Sequence, residues 1–105
     1  MEAMLEFYRR LGVSFTQEQH GAGPVHHSCD LGGTVLEIYP GSKGRAPERR
    51  AGGATMLGFR VPSVDTVLAA LAPSGTPIVT PPNDLQSGRR VVVSDPDGRA
   101  VELSQ

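Results

Sequence analysis

The chain has 105 residues, of which 38% are hydrophobic and 20% are charged, and its formal net charge is −1. This size and composition are typical of a single globular domain, and the near-neutral charge argues against a nucleic-acid or anionic membrane partner. No apolar run approaches the roughly 20 residues that a membrane span needs. Cys29 is the only cysteine, so an internal disulfide is impossible and a reducing, cytoplasmic location is expected.

The first forty residues predict one helix followed by three strands. Apolar residues recur at helical spacing over residues 1–11, and Gly12 is a natural helix stop. Three strands separated by glycine-containing turns are predicted over residues 13–20, 25–31 and 34–39. Short turns between consecutive strands favour an antiparallel meander.

A segment without apolar periodicity follows over residues 41–53. Its sequence, GSKGRAPERRAGG, carries four basic side chains, those of Lys43, Arg45, Arg49 and Arg50. We interpret the segment as a solvated linker between two modules, and the alternative is a basic lid over an anionic ligand.

The remaining residues, 54–105, predict a strand, a helix and three further strands. Ser63 suits the N-cap of a helix whose apolar stripe runs from Val64 to Leu71. The strands are expected over residues 54–61, 77–80, 89–94 and 99–104. Residues 81–84, which contain two prolines, are predicted to form a loop.

The two halves repeat one motif at a constant offset. The pattern Asp30-x-x-Gly33-x-x-x-Glu37 recurs 65 residues later with Asp, Gly and Glu at the same spacing, ending in Glu102. Together with the order of elements, this predicts a duplicated unit. The strand equivalent to 54–61 would precede Met1, so the first module is expected to lack its first strand, either natively or through a misplaced translation start. An unpaired sheet edge would then favour a homodimer.

The glutamates of the repeat are predicted to face away from the helices. Side chains alternate along a strand, so Glu37 shares a face with Tyr39, and Glu102 shares one with Ser104. Two carboxylates on the concave side of a sheet would repel each other unless a metal, a proton or an arginine lies between them. Three arginines are available as counter-charges: Arg60, Arg89 and Arg90.

These motifs resemble those of a known superfamily. FYRRLG at 7–12, LEI at 36–38 and DPDGRAVEL at 95–103 are similar to motifs of the vicinal oxygen chelate superfamily, which includes glyoxalase I, extradiol dioxygenases and bleomycin-resistance proteins. The resemblance implies an α+β fold in which two βαβββ modules form a curved mixed sheet around a cleft. It implies a single domain over 1–105, with a first module at 1–40, a linker at 41–53 and a second module at 54–105.

The resemblance also implies site residues. In metal-using members each module supplies one ligand from its first strand and one from its last, and Glu37 and Glu102 match the last-strand positions, as metal ligands or as the base that moves a proton. The first-strand position of the second module falls near Met56, a poor ligand for Mg, Mn, Ni, Zn or Fe. A divalent metal would therefore be weakly held or absent. The residues expected to contact a ligand are Met56, Arg60, Tyr39, Arg90, His20 and His27.

Residues 18–30 are unusually rich in metal-capable side chains. His26 and His27 are adjacent on a predicted strand and point to opposite faces, so they cannot chelate one ion together. His27 and Cys29 share a face, which leaves a two-ligand site as one interpretation. The others are a substrate-contacting hairpin and an ordinary polar strand.

Three functions remain open from the sequence. The first is a metal-assisted lyase, isomerase or dioxygenase acting on a small molecule. The second is a protein that binds and sequesters a small molecule or antibiotic without metal. The third is a homologue without metal that serves as a dimeric scaffold. No nucleic acid or membrane partner is expected in any of them.

Overall fold

The computed structural model describes residues 1–41 and 55–105. The predicted linker, with its alternative as a basic lid, lies almost entirely outside the described residues. The chain divides into two compact units, Met1–Gly44 and Arg45–Gln105, called here the first and second units. Neither described helix has the length and apolar character that a transmembrane span requires.

The first unit contains one helix and an antiparallel three-stranded sheet. Helix α1 buries one apolar side, and the rings of Phe7 and Tyr8 meet edge to face with centroids 5.0 Å apart. The sheet order β1-β2-β3 follows the chain, which confirms the predicted meander. The elements are α1 Glu2–Arg10, β1 Thr16–Glu18, β2 His26–Asp30 and β3 Val35–Ile38.

The second unit is a βαβββ module. Its sheet order is β4-β7-β6-β5, in which β4 pairs with β7 in parallel and the other pairs are antiparallel. The two units together confirm the α+β fold class and the repeated arrangement of a helix followed by three strands. The elements are β4 Leu57–Arg60, α2 Val64–Leu71, a 3₁₀ turn at Ala72–Ser74, β5 Ile78–Leu85, β6 Gly88–Ser94 and β7 Ala100–Ser104.

Two side chains satisfy backbone N–H groups at the start of α2, and the Ser63 cap is the one that the sequence predicts. The Ser63 hydroxyl accepts a hydrogen bond from the Thr66 N–H at 3.2 Å, and the Gln105 side-chain carbonyl accepts one from the Val64 N–H at 2.9 Å. Both donors belong to the first turn, whose N–H groups have no partner within the helix.

Replacing Ser63 with alanine is expected to lower the free energy of unfolding by about 1 kcal/mol, because the Thr66 N–H loses its acceptor. Urea unfolding followed by circular dichroism measures the change. Ser14→Ala, an exposed serine away from any helix start, is the matched control. A loss at Ser63 no larger than that at Ser14 would contradict the capping role.

The predicted loop at residues 81–84 is wrong, because β5 continues through both prolines to Leu85. Between the pairs Thr80↔Val92 and Asn83↔Arg90, β5 has one residue more than β6, which is a bulge. β5 also lies at the edge of the sheet. An edge strand with a bulge tolerates prolines, since their missing N–H groups are not needed for the ladder.

The repeated Asp and Gly residues form similar turns, in which the aspartate accepts from N–H groups two and three residues on in the first unit and two and four residues on in the second. Asp30 Oδ1 accepts hydrogen bonds from the N–H groups of Gly32 and Gly33, each at 2.9 Å. Asp95 Oδ1 accepts from the N–H groups of Asp97 and Arg99 at 3.0 and 2.8 Å. The repeated glycines, Gly33 and Gly98, both have positive φ, +104° and +89°, which other residues adopt only with strain. The sequence repeat is therefore a structural repeat.

Candidate functional site

Glu102 of the second unit is held by an arginine. It lies in the middle of β7, opposite Gly58 of β4 and Val92 of β6. The Arg90 Nε donates to Glu102 Oε2 at 2.8 Å, and Arg90 Nη2 lies 2.6 Å from the same oxygen. Both side chains are about 30% exposed. The sequence left a metal, a proton or an arginine as the partner of Glu102, and the structure shows an arginine.

Arg60 and Arg89 occupy different surroundings. Arg60 is exposed on β4 opposite Ser104, which places it on the Glu102 face of the sheet. Arg89 pairs with Asp84 and Asp65, each at 3.1 Å. The hydrogen bonds to these two carboxylates raise the pKa of Arg89 above its ordinary value, so Arg89 stays charged and engaged with them rather than with Glu102.

A double-mutant cycle measures the Arg90–Glu102 pair. We expect Arg90→Gln, Glu102→Gln and the double variant to give a coupling of about 1 kcal/mol in the free energy of unfolding, the upper end of the range for surface pairs, because both side chains are only about 30% exposed. The matched cycle on Arg89 and Asp84 should give a smaller coupling, since the Asp84 side chain is 79% exposed. Equal couplings in the two cycles would show that burial adds nothing to the Arg90–Glu102 pair.

The second unit does not fit the metal centre implied by the resemblance. The Oε2 atom of Glu102 accepts from a guanidinium, and a cation placed there would be repelled by Arg90. Met56, at the other implied position, is exposed and offers a thioether, which suits soft metals and not Mg, Mn or Zn. The role of Glu102 as a metal ligand or base stays a prediction that this pairing disfavours.

The first unit gathers a histidine and two glutamates on one face of its sheet. Glu18 of β1 pairs with His26 of β2, and Ser28 of β2 pairs with Glu37 of β3. Because paired residues share a face and alternate residues return to it, Glu18, His26 and Glu37 lie together. Tyr39 lies on the same side, with its ring stacked on that of His26 at a centroid distance of 4.4 Å and an angle of 5°.

The acceptor atoms of this group converge without a hydrogen bond between them. His26 Nε2 lies 3.7 Å from Glu18 Oε2 and 3.8 Å from Glu37 Oε1, and His20 Nε2 lies 3.5 Å from Glu18 Oε2. These distances exceed those of hydrogen bonds to a carboxylate. His26 is 1% exposed, and among residues 1–41 and 55–105 its Nε2 has no hydrogen-bond partner.

The other ring nitrogen of His26 determines which atom faces the carboxylates. His26 Nδ1 lies 3.3 Å from the carbonyl oxygen of Pro24. A carbonyl only accepts, so this contact is a hydrogen bond when Nδ1 carries the proton. Nε2 of the neutral ring then presents a lone pair toward Glu18 and Glu37.

Glu18 and His26 are the site residues that the sequence did not single out. The structure brings His20 to the Glu18 and His26 group, whereas His27 lies on the opposite face of β2 with Cys29. His27 and Cys29 thus share a face as predicted. The glycine turn between β1 and β2 predicted a hairpin but not its register. A shift of one residue in that register would place His27 instead of His26 on the Glu18 face, so the sequence could not choose between them.

The sequence predicted that Glu37 and Glu102 act together at one site, but the two residues belong to different units. Each is placed within its own unit, Glu37 beside His26 and Glu102 beside Arg90. Their joint action, and the expected ligand contacts of Met56, Arg60, Tyr39, Arg90, His20 and His27, stay predictions.

Comparison with known proteins is consistent with this fold. The family model for the glyoxalase/bleomycin resistance protein/dioxygenase superfamily matches residues 1–103. No curated protein matches the chain. Similar solved structures include the hypothetical protein SA1046 from S. aureus, with 18% identity and a TM-score of 0.74, covering 99% of this chain and 86% of that one.

Two further structures carry more descriptive names. A glyoxalase family protein from Enterococcus faecalis is 26% identical, with a TM-score of 0.67 and coverage of 100% and 88% of the two chains. TnmS3, an antibiotic binding protein from Streptomyces sp. CB03234, is 24% identical, with a TM-score of 0.66 and coverage of 99% and 84%. The chain belongs to the glyoxalase/bleomycin resistance protein/dioxygenase superfamily.

Proposed function

We propose that the protein binds and sequesters a small organic molecule, without metal-assisted catalysis at the superfamily's ligand positions. The observation that carries this proposal is the Arg90–Glu102 ion pair. Arg90 binds the carboxylate that a catalytic metal centre of the family would use as a ligand. The exposed Met56 at a second ligand position supports it. TnmS3, of similar fold, is named as an antibiotic binding protein.

The ligand class follows from the exposed residues of the first sheet. Tyr39 and Val35 are 49% and 60% exposed on the face that also carries Glu37. An aromatic ring beside a carboxylate favours a molecule with a flat apolar part and a cationic or hydrogen-bond-donating group. We therefore place the binding surface around Tyr39 and Glu37.

A ligand screen tests the proposal. Thermal unfolding is measured against a panel of antibiotics and glutathione conjugates, and a binder is expected to raise the melting temperature further as its concentration increases, roughly with the logarithm of concentration above Kd. Tyr39→Ala should weaken binding by at least about tenfold, as loss of one stacked aromatic contact predicts. Ile78→Ala, an exposed apolar residue of β5, is the control and should bind as the unaltered protein does. A flat response across the panel argues against the proposal.

Recovery of the ligand separates sequestration from catalysis. After prolonged incubation the bound molecule is expected to be recovered unchanged by mass spectrometry, with or without a chelator. Conversion that a chelator stops would contradict sequestration and favour the second candidate, a metal-assisted lyase, isomerase or dioxygenase. That candidate has one observation in its favour, the grouping of Glu18, His20 and His26.

The homodimer stays part of the proposal. Light scattering of the purified chain is expected to give twice the mass of one protomer, and a monomer mass would contradict it. The scaffold function has no further observation in its favour.

A further inference from the structure

We propose that Glu18, His20 and His26 form a site for a divalent metal of the zinc class, at positions other than the superfamily's ligand positions. The inference does not depend on the proposed sequestration. One ligand atom from each of the three side chains lies within 4.8 Å of the others. They come from β1, from the turn after it and from β2, whereas the superfamily takes its ligands from the first and last strands of each module.

The converging acceptors suit a cation. Two carboxylates and the lone pair of His26 Nε2 meet on one face with no donor from the described residues between them. The two carboxylates repel the lone pair of His26 Nε2 at 3.7 and 3.8 Å in a partly buried setting. Either a proton on Nε2 or a metal ion relieves this repulsion.

The distances are longer than direct hydrogen bonds and close to those between two ligands of one metal. A protonated imidazole forms charge-assisted hydrogen bonds of about 2.7–2.9 Å to a carboxylate, and both carboxylates stand about 1 Å farther away than that. Two ligands of a tetrahedral metal with bonds of about 2.1 Å are about 3.4 Å apart. The His20–Glu18 and His26–Glu18 separations of 3.5 and 3.7 Å are close to this value.

The surroundings prepare His26 to be a ligand. Its Nδ1 is directed at the Pro24 carbonyl, and metal-bound histidines commonly donate their second N–H to such a group, which fixes the tautomer. The stacked Tyr39 ring holds the imidazole plane in place. The ligating nitrogen is therefore positioned before any ion arrives.

The donor set indicates the metal and an open position. Two imidazoles and one carboxylate suit Zn²⁺ and related borderline ions rather than Mg²⁺ or Ca²⁺. Three protein ligands leave a fourth position to water or to Glu37, whose Oε1 lies 3.8 Å from His26 Nε2. Such three-ligand sites are the open type.

Calorimetric titration with ZnCl₂ tests the site. Chelator-treated full-length protein is expected to bind one Zn²⁺ per chain and to bind Mg²⁺ far more weakly. His20→Ala removes a ligand from a side chain that is 76% exposed, so folding is retained, and Zn²⁺ affinity should fall at least about 100-fold. Glu18→Gln should weaken binding in the same direction. His26→Gln adds a third test, but its burial makes it the variant most prone to misfolding.

Two matched controls make the result specific. His27→Asn changes the neighbouring histidine on the opposite face, and Cys29→Ser removes the thiol, and both should bind Zn²⁺ as the unaltered protein does. The proposal is overturned if the unaltered protein binds no stoichiometric Zn²⁺, if His20→Ala binds equally well, or if either control abolishes binding. It is also overturned if nitrogen NMR shows a proton on His26 Nε2 at saturating Zn²⁺. None of these readouts involves the organic ligand, so this site and the proposed sequestration fail separately.

Discussion

Replacing Asp95 with alanine is expected to lower the free energy of unfolding by about 3 kcal/mol. Asp95 is 3% exposed, and its carboxylate holds the N–H groups of Asp97 and Arg99 and lies 3.4 Å from the Arg99 guanidinium. Alanine leaves these donors without their acceptor in a partly buried turn. Urea unfolding of the full chain measures the loss.

The repeat provides the controls for this prediction. Asp30→Ala removes the equivalent contacts to Gly32 and Gly33 from an exposed turn, where water replaces the lost acceptor, so we expect a loss of about 1 kcal/mol. Asp95→Asn keeps the shape and one acceptor oxygen and should recover most of the stability. A loss at Asp30 as large as that at Asp95 would show that burial of the turn is not the cause.

Leu103→Ala is expected to be equally damaging, with a loss of about 3 kcal/mol. Leu103 is fully buried on β7 between Phe59 of β4 and Val91 of β6, next to Glu102 on the opposite face. The substitution removes apolar contacts and leaves a cavity that strands on both sides keep from closing.

The same change at Leu85 is the matched control, because Leu85 is 43% exposed at the end of the edge strand β5. We expect Leu85→Ala to cost less than about 1 kcal/mol. Similar losses at the two leucines would contradict the assignment of Leu103 to the buried face.

The two units treat their repeated glutamates differently. Glu102 is neutralised by Arg90, whereas Glu37, among the described residues of its unit, pairs with no arginine and lies near the buried His26. The two glutamates of the repeated motif therefore have different charged neighbours. This divergence is the basis for proposing ligand binding without metal at the superfamily positions and a metal site at Glu18, His20 and His26.

Local residue patterns predicted much of the fold. The apolar stripe of α2 and the Ser63 cap were sufficient to place that helix, since both act within one turn of the chain. The Asp and Gly spacing predicted two equivalent turns, because side-chain acceptors and positive φ are local requirements. The prolines of β5 led to the wrong prediction of a loop at residues 81–84. They are compatible with a strand only because β5 lies at the sheet edge and has a bulge.

The sequence alone was enough to identify the superfamily motifs and the repeat, and to predict which residues share a strand face with Glu37 and with Glu102. These follow from the alternation of side chains within single strands. The three-dimensional arrangement was needed to show that Arg90 and not Arg89 pairs with Glu102, and that His26 rather than His27 lies beside Glu18 and Glu37. Such choices depend on the register between strands, where a shift of one residue exchanges the faces, and no single strand encodes it.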